Sequence, residues 1–142
     1  MKKVQLHSDL GFDFHLIGLI SSAREYTVCW SINESLGLEL SKQKDLEVIL
    51  KNDERQMVSN YVYEDDYTRY TLIWNKAWGT AGAGHKVFLA SLSQFDYLLK
   101  IEEYESTLDL SSIIDSLRKA QRIDTMMKLD VGKIKEKESL IF

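Results

Sequence analysis

Met57-Val58-Ser59-Asn60-Tyr61-Val62-Tyr63-Glu64-Asp65-Asp66-Tyr67-Thr68-Arg69-Tyr70-Thr71-Leu72-Ile73-Trp74 is the stretch that decides the fold class. Two runs rich in aromatic and β-branched residues, 57–63 and 67–74, flank the acidic turn Glu64-Asp65-Asp66. Strand side chains point alternately to opposite faces, so this pattern predicts an antiparallel hairpin. Tyr61 and Tyr63 fall on one face and can pair across the hairpin with Tyr70, Leu72 and Trp74. Leu46, Val48 and Leu50, followed by the turn signal Asn52-Asp53, extend the hairpin to a meander.

Upstream, Phe12, Phe14, Leu16, Gly18 and Ile20 alternate with Asp13, His15, Ile17 and Leu19. Both sets become apolar in their second half, which predicts an interior strand covered on both faces. Ser22 and Glu25 have capping-box spacing, and Gly37 supplies a left-handed stop, so a helix is expected over about 23–36. Its stripe of Tyr26, Cys29, Trp30, Asn33 and Leu36, with Val28 and Ile32 as a second apolar edge, predicts deep burial. Downstream, a Gly-rich loop from Gly79 to His85 leads into Val87 to Ala90, and a strand is expected over 95–101. A helix follows over about 108–120, opened by Ser106 or Thr107 and supported by Asp115 facing Lys119. Ile123, Thr125, Met127 and Leu129 then alternate as a last strand. A strand, helix, strand order over 95–129 suits a crossover between parallel strands.

The sum is an α+β fold, a single domain over 1–142. It comprises a mostly antiparallel sheet of about five to seven strands, two main helices and a short C-terminal helix. The 142 residues are enough for one core without disulfides or metals. Proline is absent, and the formal net charge is -4. That charge disfavours a general nucleic-acid binder and excludes the basic footprint of a DNA-binding domain. The balance is uneven: residues 118–142 hold 7 basic and 4 acidic side chains. One cysteine, no apolar run of signal-peptide length at the start and no membrane-spanning stretch together predict a cytoplasmic protein.

The residues also carry a resemblance. Leu16-Ile17-Gly18, Tyr26, Cys29-Trp30, Asn33, Leu36-Gly37, Tyr70, Leu72, Asn75, Asp96-Tyr97-Leu98-Leu99 and the ending Glu138, Leu140, Phe142 resemble the small bacterial IPExxxVDY proteins. The naming motif is degenerate: Leu89 to Tyr97 occupy it, Ala90 and Ser91 stand where the pattern has Pro and Glu, and Asp96 and Tyr97 are unchanged. The resemblance implies a fold and a compartment and no assigned activity. Asp96-Tyr97 would then serve packing or recognition.

Residues with chemical potential give no complete set. Gly79-Thr80-Ala81-Gly82-Ala83-Gly84-His85-Lys86 looks like a phosphate cradle, but His85 separates the last glycine from the lysine, and an extended run follows where a P-loop has a helix. His7, His15 and His85 lack metal-ligand spacing. Cys29, mid-helix on an apolar stripe, reads as a core thiol, and Asn33 as a structural hydrogen-bonder. Asp96 could act as a base, yet nothing at defined spacing completes a mechanism. No catalytic, metal or cofactor residue is therefore assigned. The expected function is a non-enzymatic interaction module binding another protein or a complex, with self-association possible, through Trp74, Trp78, Asp96, Tyr97, Leu140 and Phe142. The alternative is an accessory RNA-associated protein using Arg118, Lys119, Arg122 and Lys128.

Overall fold

The computed structural model describes residues 13–49, 53–79, 84–106 and 108–142. The hairpin stands as expected. β4 (Arg55–Glu64) and β5 (Thr68–Gly79) pair antiparallel with Tyr61 opposite Leu72 and Tyr63 opposite Tyr70. The Tyr63 and Tyr70 rings meet with centroids 6.3 Å apart. Asp65 closes the turn by accepting hydrogen bonds from the Tyr67 and Thr68 amides, which holds its carboxyl below the usual range.

Among the described residues, β1 is His15–Ile20, β2 Ser41–Lys42, β7 Tyr97–Glu103 and β8 Thr125–Leu129. Eight strands there form one sheet, in the order β2-β4-β5-β7-β1-β8. β3 (Leu46–Ile49) and β6 (His85–Val87) pair at the flanks with β4 and β5. The count exceeds the expected one because β2 and β6 are too short to show a period. β1 is interior, antiparallel to both β7 and β8. β7 and β8 therefore run parallel, as the crossover reading requires, with β1 between them. The Phe12 part of the expected first strand and the Gly-rich loop residues 80–83 lie outside the described residues, as do His7 and Thr107.

The two faces of the sheet are covered differently. α1 (Glu25–Leu36) and α2 (Leu110–Arg118) cover one, over Ile17, Leu19, Tyr70, Leu72, Tyr97, Leu99 and Ile101. The other face, with Leu16, Val58, Ile73 and Leu98, lies under turns contributing Phe88, Leu89, Leu92, Phe95, Val131, Ile134 and Leu140. The expected C-terminal helix is in fact two short 3₁₀ turns, Val131–Lys133 and Lys137–Leu140. Gly18 is required by this second layer: a Cβ there would lie 2.6 Å from the Phe95 ring.

α1 departs from expectation in two ways. No capping box forms. Ser22 is exposed, and the Glu25 carboxylate instead accepts from the Ser59 hydroxyl on β4. The helix is also not deeply buried all round. Val28, Cys29, Ser31 and Ile32 face the sheet, leaving Tyr26 65% and Trp30 52% exposed. Its end follows the sequence: Gly37 adopts φ 66°, and its N–H reaches the Asn33 carbonyl. α2 is capped by Asp109, whose carboxylate accepts from the Ser112 N–H at 3.2 Å, one residue set later than expected. Asp115 pairs with Arg118 at 3.5 Å rather than with Lys119. Strand β7 starts at Tyr97 because residues up to Phe95 build the covering turn, and β8 starts after Arg122 turns the chain with φ 70°.

Candidate functional site

Where β1 runs into α1, the chain leaves an open cleft of about 480 Å³. Its walls are Ser21 to Tyr26 from the β1–α1 connection, Tyr61 from β4, Trp74 and Lys76 from β5, and Asp96 and Tyr97 from the start of β7. The strands bring these residues together because β4, β5, β7 and β1 are consecutive neighbours in the sheet.

Most polar groups of the cleft are engaged within the fold. One Asp96 carboxylate oxygen accepts from the Ser21 N–H at 2.9 Å. Tyr97 donates its hydroxyl hydrogen to the Ala23 carbonyl at 2.6 Å, and the Ser21 hydroxyl donates to the Arg122 carbonyl. Burial pushes the Tyr61 hydroxyl up to about 12, with the Glu25 charge adding to it. Tyr97 is raised as well, by burial first and then by Glu25 and Asp96. Arg24 and Lys76 are exposed and form no ion pair among the described residues. The cleft thus offers two cations, exposed aromatic carbon on Tyr26 and part of Trp74, and a floor of fixed polar groups.

These tyrosines give a pH dependence. Unfolded tyrosine ionises near 10, so between 10 and about 12 the unfolded chain releases protons that Tyr61 retains when folded. Stabilisation from this source is complete below pH 10 and is lost as the pH rises through the folded value. The urea midpoint is expected to fall from about pH 9 to about pH 11, together with a late rise in tyrosinate absorbance. A midpoint that holds through this range would contradict the assignment.

Of the six expected partner residues, the cleft gathers Trp74, Asp96 and Tyr97. Tyr97 is buried and its hydroxyl is committed to the Ala23 carbonyl, which corrects its expected role as a contact. Trp78 lies two strand periods along β5 from Trp74. The rings of Trp74 and Trp78 each meet His85 edge-on with centroids 5.0 Å apart, forming a half-buried aromatic row. Leu140 and Phe142 lie on the opposite face of the sheet. Leu140 is fully buried in the chain's own core, so it cannot anchor a partner, whereas Phe142 is exposed.

No family model, curated protein or solved structure matches the chain. The likeness to the IPExxxVDY pattern thus rests on the quoted residues alone. Of the RNA candidates, Arg118, Lys119, Arg122 and Lys128 are all exposed, and Arg118 is partnered by Asp115. Among the described residues no group of three or more His, Cys, Asp or Glu is placed to hold a metal, and no helix is long and apolar enough to cross a membrane. Cys29 is buried, donates to the Leu40 carbonyl at 3.5 Å, and has its thiol pushed up by burial. Asn33 joins helix to loop: its amide donates to the Leu40 carbonyl at 3.2 Å, and its oxygen accepts from the Leu40 N–H at 2.8 Å.

Two determinants escape sequence reasoning. Asn75 is buried on β5. Its amide donates to the Leu92 and Phe95 carbonyls, both at 3.0 Å, and its oxygen accepts from the Leu89 N–H at 2.9 Å. Its own N–H donates to the Asp96 carbonyl, which fixes the cleft's carboxylate at the end of the turn. Lys100, 2% exposed on β7, donates to the Leu140 carbonyl at 2.7 Å, between the rings of Phe14 and Phe142. Burial lowers its pKa, and Glu102 at 3.4 Å opposes that shift. A polar letter inside an apolar run is the only sign either leaves in the sequence.

Proposed function

We propose that this chain is a protein-interaction module that binds a segment of a partner protein in the cleft between the start of α1 and the neighbouring strands β5 and β7, without covalent chemistry. The observation that carries this reading is Tyr26: a large ring left 65% exposed at the rim of a cleft whose inner polar groups are engaged by backbone. Exposed aromatics beside a hollow are typical anchors of protein recognition. Arg24 and Lys76 add a positive rim to Glu25 and Asp96, and this mixed field suits a polypeptide better than a polyanion. Trp30, four residues on from Tyr26, continues the same exposed side of α1.

The experiment is affinity purification of the tagged chain at native expression level, with and without nuclease, compared with Tyr26→Ala. A nuclease-resistant protein partner, bound about 10-fold or more weakly by the variant, is expected for an anchor of this kind. Because Tyr26 is exposed, the variant should melt like the parent. Recovery of the chain alone, or a partner indifferent to Tyr26, would overturn the reading. A second reading, an accessory RNA-associated protein, is favoured by the exposure of all four cations at 118, 119, 122 and 128. It predicts partners lost on nuclease treatment and RNA binding that weakens steeply with salt.

A further inference from the structure

We infer that β8 is a self-complementary edge through which two copies of this chain pair antiparallel, joining their sheets into one. β8 ends the sheet order. It pairs with β1 on one side, and among the described residues no strand pairs with its other side. That row of peptide groups is a template for another strand. No proline or bulge interrupts it, and Thr125, Met127 and Lys128 are exposed, Met127 by 53%.

The charges on the strand and on the residue just before it select the occupant. Asp124 and Lys128 stand symmetrically about Met126, and neither has an ion pair among the described residues. A two-fold axis at Met126 sets Asp124 of each copy opposite Lys128 of the other, with Ile123 opposite Leu129 and Met126 opposite itself. Moving the axis one residue towards Thr125 sets Asp124 opposite Met126 and leaves Lys128 facing the turn that precedes the strand, and moving it to Met127 brings Asp124 against Asp130. Neither neighbouring register joins the opposite charges, and the second sets like charges together, which destabilises a strand pair, so the pattern favours one register and a second copy of the same strand. A lone lysine on an edge would serve only to discourage pairing. Here the matched aspartate at the mirror position supplies its complement.

The test is the solution mass of the full chain by sedimentation or light scattering over a concentration series. The parent chain should move from 16.5 kDa towards twice that mass. Asp124→Lys and Lys128→Glu should each remain monomeric where the parent is dimeric, through an association about 10-fold or more weaker. Mixing these two variants should restore the dimer, because each then meets opposite charges in the other. In the unmodified chain, amide exchange over residues 124–128 should slow as concentration rises. A parent that stays at 16.5 kDa up to about 1 mM would overturn the inference, the concentration at which even a weak interface is half formed. A dimer unaffected by either charge reversal, or variants whose mixture fails to reassociate, would also overturn it.

Discussion

Leu140→Ala is expected to lower folding stability by about 2–5 kcal/mol, the range for deleting a fully buried leucine side chain. Leu140 has no exposed surface and packs in the layer with Phe14, Leu16, Val131 and Ile134. Its carbonyl also holds the Lys100 ammonium, so the turn that carries Leu140 is fastened at two points. The substitution keeps the carbonyl and removes only the side chain, so the loss should be the transfer and cavity cost with no change in the Lys100 contact. Urea unfolding would show a lower midpoint with an unchanged slope. A loss below about 1 kcal/mol would mean that the segment after Glu136 does not close this layer as described.

Asn75→Ala should destabilise by a comparable amount, about 2–6 kcal/mol, for a different reason. Two of the three backbone groups that Asn75 serves, the Leu89 N–H and the Phe95 carbonyl, would be left in a buried place without their side-chain partner, at about 1–3 kcal/mol each. The Leu92 carbonyl keeps the Phe95 N–H. The two variants are distinguishable. The turn that Asn75 holds leads directly into Asp96, so partner capture in the cleft should weaken with Asn75→Ala even under conditions where the chain is fully folded. Leu140→Ala, on the far face of the sheet, should leave capture intact. Equal binding by both would show that Asn75 matters for stability alone.

How much of this was legible in the sequence depends on the range of the interactions. The β4–β5 hairpin, its facing pairs and its turn were readable because register there is set by a three-residue connection and a period of two. The stop at Gly37 was readable because left-handed backbone selects glycine locally. The sheet order was not, since β5 beside β7 and β8 beside β1 are pairings across long separations in sequence that no local pattern encodes. On α1 the apolar letters spread over more than one side, and the sequence does not say which side meets the sheet. The Val28–Ile32 edge, at four-residue spacing, was the true core side. In the cleft, Trp74 and Asp96 were readable as unusual letters in their runs, and Tyr97 was readable but buried. Tyr26 shares the apolar stripe of α1 yet faces outward, and Asn75 and Lys100 gain their meaning only from carbonyls supplied by distant segments.

Asn75 clasps only main-chain atoms at 89, 92 and 95. The shape of that bend is therefore indifferent to the letters at Ala90, Ser93 and Gln94, which all point into water. Substitutions there can accumulate over evolutionary time without deforming the molecule, while a change at Asn75 would be felt at once. Kinship among such chains should accordingly be traced more sharply by an asparagine placed 21 positions before an aspartate than by the spelling of the bend itself.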